Sequence, residues 1–128
     1  MTKKLLIDTD VLIDYLRGQP QAVEFLESLR ELLLISTMTI AELNAGVRDG
    51  KERELLNELI RAFQIMPVDE AISIKGGLYR RDYGKSHGVG LADALIAATA
   101  ELNQATLVTL NQKHFPMIVD IIVPYKKG

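Results

Sequence analysis

Three acidic side chains and one amide stand where a fold can gather them. Asp8 follows the apolar run Leu5, Leu6, Ile7, with Asp10 two residues on. Glu42 lies one turn into a helical stretch that follows Ser36 and Thr37. Asp93 opens an alanine-rich stretch, and Asn111 follows Thr109 after another apolar run. A Mg²⁺ ion takes hard oxygen ligands, keeps several waters, and is commonly held by one or two carboxylates. Such an ion helps deprotonate a bound water and neutralises charge on a phosphodiester under attack. Crowded carboxylates raise one another's pKa unless a cation sits between them. A meeting of Asp8, Glu42 and Asp93 therefore calls for a metal. The chain has no cysteine, and His87 and His114 are not at metal-ligand spacing, which argues against structural zinc.

The elements that must position these groups alternate in type. Lys4–Ile7 reads as a buried strand, and Val11–Arg17 as a short helix stopped by Gly18. Pro20 opens a second helix to about Glu31, with Ala22, Leu26 and Leu29 at helical spacing. Leu32–Ser36 is a second strand, followed by helices over Thr39–Val47 and Lys51–Phe63. Gln64–Val68 is a short third strand containing Pro67. Asp69 caps a long helix to about Tyr83, and Gly84–Gly90 is a polar loop. Leu91–Leu102 is a helix, and Thr106–Thr109 and Asp120–Val123 are the last strands. The expected fold is a three-layer α/β/α sandwich, a mostly parallel sheet of about five strands. Such sheets bind ligands at the carboxyl ends of their strands, where the acids fall.

Each polar residue also has a purely structural reading. Asp8 or Asp10 can cap the first helix. Thr39-Ile40-Ala41-Glu42 has the form of a capping box. Asp93 suits the dipole of its helix, and Asn111 suits a turn. Three capping accidents would all have to fall at ligand-facing ends.

The whole of residues 1–128 is expected to form one domain, with 48% hydrophobic and 25% charged residues, the balance of a folded globule. The apolar run before Asp8 is too short for a signal peptide, and no stretch is long enough to span a membrane. A cytoplasmic protein is expected. Its net charge of −2 excludes binding of nucleic acid by a broadly basic surface. Contact with nucleic acid must use a local basic patch or metal ions in an acidic pocket.

Four segments together resemble the PIN domain, in particular the VapC type of toxin ribonuclease. They are Leu6-Ile7-Asp8-Thr9-Asp10-Val11-Leu12-Ile13-Asp14-Tyr15-Leu16-Arg17-Gly18, Thr37-Met38-Thr39-Ile40-Ala41-Glu42-Leu43, Leu91-Ala92-Asp93-Ala94-Leu95-Ile96-Ala97-Ala98-Thr99-Ala100 and Leu107-Val108-Thr109-Leu110-Asn111-Gln112-Lys113-His114-Phe115. The resemblance implies a parallel sheet flanked by helices, Mg²⁺ or Mn²⁺ dependence, and endonucleolytic cleavage of RNA. It makes Asp8 and Asp93 metal ligands, with Glu42 a third acid holding the metal directly or through water. Thr9 and Thr109 would support the site, and Asp10 would shape the turn. The fourth acidic position of many PIN domains is neutral Asn111, which still offers a carbonyl oxygen; one metal is expected rather than two. The resemblance also implies a homodimer and an antitoxin partner.

For the RNA substrate the best local patch is Lys75, Arg80, Arg81, Lys85 and His87, just before Asp93. Two other readings compete. Asp8-Thr9-Asp10-Val11 also fits a phosphatase of the haloacid dehalogenase type, with Asp8 as nucleophile and Asp10 as acid/base, but the usual Gly-Thr after the second Asp is missing. A non-catalytic binding module would keep the fold and leave the acids idle.

Overall fold

The computed structural model describes residues 3–126. Its elements are β1 (Lys4–Ile7), α1 (Thr9–Leu16), α2 (Pro20–Ser28), β2 (Leu32–Ser36), α3 (Thr37–Ala45), α4 (Lys51–Arg61), β3 (Gln64–Met66), α5 (Glu70–His87), α6 (Leu91–Leu102), β4 (Thr106–Val108), a 3₁₀ turn (Gln112–His114) and β5 (Ile121–Ile122). The strands lie in the order β3-β2-β1-β4-β5, and every pairing is parallel. The chain builds outward from β1 to β3, then crosses through α5 and α6 to β4 on the other side of β1. The carboxyl ends of β1 and β4 therefore flank the topological switch point, the crevice where open parallel sheets bind ligands.

Strand alternation sorts the core into two layers. Leu5, Ile7, Ile35 and Val108 face one side and pack with Val11, Leu12, Leu26, Leu43, Leu56 and Phe63. Leu6, Leu34 and Leu107 face the other and pack with Ile96, Ala97, Ala100, Ala105 and Phe115. Both faces are buried, as the nearly unbroken apolar runs of these strands require. The small residues of α6 let that helix lie close to the sheet. Gly76 lets α5 lie close to α6 in turn: a Cβ there would stand 2.6 Å from Leu95 Cδ2 and 3.1 Å from Leu95 Cα.

Several boundaries differ from the sequence expectation. Helix α1 starts at Thr9, not Val11, because Asp8 occupies the N-cap. Helix α2 ends at Ser28, short of Glu31, where the Ser28 hydroxyl bonds back to the Phe25 carbonyl at 2.8 Å and Leu29 turns extended. Helix α3 starts at Thr37, because the Ser36 side chain accepts from Met38 N at 3.0 Å and caps the helix two residues early. Strand β3 stops at Met66: Pro67 has no N–H, and Val68 N bonds the Thr37 hydroxyl at 3.0 Å instead. The expected loop Gly84–Gly90 is largely helix. α5 continues to His87 and ends at Gly88, whose φ of 64° is the left-handed conformation that favours glycine. The last two strands are shorter than expected, ending at Val108 and Ile122.

Candidate active site

Asp8 is the first residue past β1 and is only 5% exposed. Both its oxygens are held. Thr9 N donates to Oδ1 at 2.7 Å, and the Thr109 hydroxyl, just past β4, donates to Oδ2 at 2.8 Å. The strand pairing makes this contact possible, since Asp8 N also donates to Val108 O at 2.9 Å. Asp10 clips the same two segments together. Its Oδ1 accepts from Val11 N at 2.7 Å, and its Oδ2 accepts from Leu110 N at 3.0 Å. Asp10 thus serves as a link between α1 and the segment after β4. Engaged by backbone on both oxygens, it is poorly placed to act as the acid of a phosphatase.

Burial pushes the Asp8 carboxyl up to about 7, and the nearby charges of Asp10 and Asp93 push the same way against the hydrogen bonds from Thr109 and Thr9. No lysine or arginine among the described residues forms an ion pair with Asp8. A buried carboxylate beside two others, all hard oxygen donors, suits a divalent cation. Among the described residues, however, no three histidine, aspartate or glutamate side chains already converge as a ligand set.

Glu42 reaches the site through Thr9. The Thr9 hydroxyl lies 2.7 Å from Glu42 Oε1 and 3.0 Å from the Thr39 hydroxyl. A hydroxyl has one proton, and the carboxylate is the stronger acceptor, so Thr39 donates to Thr9 and Thr9 donates to Glu42. The capping-box reading of Glu42 does not hold, because α3 is capped by Ser36. Thr9 therefore joins the two acids, its N–H on Asp8 and its hydroxyl on Glu42.

Asp93 sits in the first turn of α6, half-buried, with Oδ2 3.1 Å from His114 Nδ1. Asn111 N donates to the Thr109 hydroxyl at 3.1 Å, and the Asn111 amide lies 2.8 Å from the same His114 nitrogen. Asp8, Asp10 and Thr109 thus touch. Glu42 is one hydroxyl away, and Asp93 is close enough for its charge to act on Asp8. The sequence reading missed Thr39 and His114 as members of this network. The signal for His114 was its place three residues after Asn111, because side chains at that spacing line up in a 3₁₀ turn.

The basic patch is spread along α5. Lys75 pairs with Glu101 at 2.7 Å, toward the end of α6 remote from Asp93. Arg81 pairs with Asp82 at 2.8 Å and lines an apolar groove with Ile74, Leu78 and Leu102. The Arg80 guanidinium lies forward along α5, over Gly84 one turn on. Lys85 and His87 are in the last turn, beside the short connection to α6 and Asp93.

The PIN domain family model matches residues 5–118. Ribonuclease VapC10 of Mycobacterium tuberculosis is 41% identical over 124 residues, covering 94% of this chain and 92% of the relative. Ribonuclease VapC19 of the same organism is also 41% identical over 124 residues, covering 94% of this chain and 98% of the relative. Among solved structures, a chain of a toxin-antitoxin complex from Klebsiella pneumoniae superposes with a TM-score of 0.83 at 28% identity, covering 96% of this chain and 99% of that one.

Proposed function

This chain belongs to the PIN domain family and, within it, to the VapC ribonucleases, and from that premise we propose that it is a metal-dependent endoribonuclease, the toxin of a toxin-antitoxin pair. The observation that carries the metal is the buried Asp8 carboxylate, crowded by Asp10 and Asp93 and paired with no lysine or arginine among the described residues. Asp8 and Asp93 would hold one Mg²⁺ or Mn²⁺, with Glu42 holding it directly or through water. When bound, that ion supplies a water of lowered pKa and neutralises charge on the RNA phosphodiester.

The protein's own groups do the positioning. Thr109 and the Thr9 N–H fix both oxygens of Asp8, so its orientation is set before any substrate arrives. The Thr39–Thr9 chain fixes one oxygen of Glu42. Asp10 holds the two backbone segments that carry Asp8 and Thr109. Asn111 in place of an acid lowers the negative charge, which favours a single cation. Lys85 contributes to RNA binding from the end of α5 nearest the acids. Arg80, whose guanidinium lies over Gly84, contributes beside it, and Arg81 contributes from the preceding turn. In this reading the protein acts in the cytoplasm as one domain, and its active form is a homodimer that an antitoxin silences; the antitoxin is supported by the similar chain of the toxin-antitoxin complex from Klebsiella pneumoniae.

The test is cleavage of a single-stranded RNA by the purified chain before and after chelation. EDTA should abolish internal cleavage, and Mg²⁺ or Mn²⁺ should restore it with no aspartyl-phosphate on Asp8. Undiminished cleavage in EDTA would refute the metal, and a trapped aspartyl-phosphate would favour a phosphatase. Glu42→Gln, which keeps an oxygen for Thr9, should slow cleavage by about a hundredfold, or roughly 3 kcal/mol of barrier. Its melting temperature should hardly move. If instead only stability fell, Glu42 would be a structural residue.

A further inference from the structure

We propose that His114 is a positioning residue for Asp93: its ring Nδ1–H donates to Asp93 Oδ2 and sets the carboxylate that would hold the metal. The inference rests on the reading of Asp93 as a metal ligand given above. The contact is 3.1 Å, between a side chain 40% exposed and one 29% exposed. The proton's place follows from the neighbours. Without a proton, the Nδ1 lone pair would face a carboxylate oxygen, and two acceptors repel at this distance. With the proton on Nδ1, the Asn111 amide 2.8 Å away presents its oxygen to the ring, a half-turn that changes no atom position appreciably. Asn111 and Asp93 then both accept from one N–H, and the Asp93 Oδ1 atom, which has no hydrogen bond among the described residues, is left for a cation.

The placement is built into the fold. His114 closes a 3₁₀ turn in which its N–H donates to Asn111 O at 3.0 Å, and Phe115 N donates to Gln112 O at 3.0 Å. Phe115 is 1% exposed and packs in the same cluster as Ile96, Ala97 and Ala100 of α6, the helix that carries Asp93. One anchored residue therefore fixes the imidazole relative to the carboxylate. Hydrogen-bond partners of metal-ligating carboxylates are worth about tenfold to a hundredfold in metal affinity.

The experiment measures Mn²⁺ binding by electron paramagnetic resonance of the free ion, with the intact chain and no RNA. His114→Ala should bind Mn²⁺ at least about tenfold more weakly than wild type, while His114→Asn, whose amide N–H stands near the Nδ1 position, should stay within about threefold. His114→Gln, whose amide reaches past that position, should behave like alanine. Metal-free melting of all three should match wild type, since the ring is half-exposed. If His114→Ala unfolds early, the asparagine-glutamine contrast decides. Unchanged or tighter Mn²⁺ binding by His114→Ala, with Asp93→Asn weakened, overturns the role of His114 alone. If Asp93→Asn also binds as wild type does, the reading of Asp93 as a ligand fails as well.

Discussion

Asp8→Asn should lose RNA cleavage by about a thousandfold, roughly 4 kcal/mol of barrier, and at the same time make the metal-free protein more stable at neutral pH. The two effects have one cause. Unfolded, the Asp8 carboxyl titrates near 3.8; folded, it keeps its proton up to about 7, first because it is buried and then because of Asp10 and Asp93. Between those values the native state binds more proton than the unfolded state, so this group's contribution to stability falls as pH rises through that window. Below about pH 4 nothing is lost. Above about 7 the full penalty stands, at most about 4 kcal/mol for three units at about 1.4 kcal/mol each. Asparagine carries no charge and escapes it. It also fits the site: its oxygen still accepts from Thr9 N, and the Thr109 hydroxyl can turn its proton to Asp10 Oδ2, 3.4 Å away. At pH 8 without metal, Asp8→Asn should melt about 5–10 °C above wild type, and at pH 4 the two should nearly coincide. Added Mn²⁺ should raise the melting temperature of the wild type and leave the variant unmoved. An active variant, or one less stable than wild type at pH 8, would remove Asp8 from the metal site.

Asp93→Asn should show a similar loss of cleavage, about a thousandfold, with a different stability signature. Asp93 is half-buried at the start of α6, so its charge loses less hydration on folding than that of Asp8. The asparagine oxygen still accepts from His114, which preserves the local contact. Metal-free stability at pH 8 should therefore rise only slightly, through relief of the repulsion on Asp8. Cleavage assays and thermal melts with and without Mn²⁺ check this directly. Full cleavage by Asp93→Asn would contradict its role. A stability gain as large as that of Asp8→Asn would mean that Asp93, not burial, is what strains Asp8.

The two aspartates are held in different ways. Asp8 tolerates its buried position because Thr9, Thr109 and the strand pairing hold it there. Asp93 depends on a side chain from a turn 21 residues farther along the chain. The site is therefore stiff on the β1 side and set by side-chain contacts on the α6 side.

Much of this protein was legible in its residues. Runs such as Leu5-Leu6-Ile7 and Leu33-Leu34-Ile35 report burial on both faces of a strand, and burial on both faces requires helices on both sides. The order of elements followed from such patterns, as did the placement of Asp8, Thr37 and Thr109 at strand ends, because side-chain periodicity is a local property. The helix starts were less legible: Ser36 and Thr39 are both good caps, and only the end of β2 decides which one the backbone uses. Gly84 looked like a loop residue because glycine weakens a helix, yet the packing of α5 on α6 carries the helix through it. Tertiary structure alone decided the pairs that make the site. Thr109 lies 101 residues from Asp8, and Thr9 lies 33 from Glu42. Their contacts depend on the parallel register of β1 with β4 and on the crossover through α5 and α6, neither of which leaves a periodic trace in the chain.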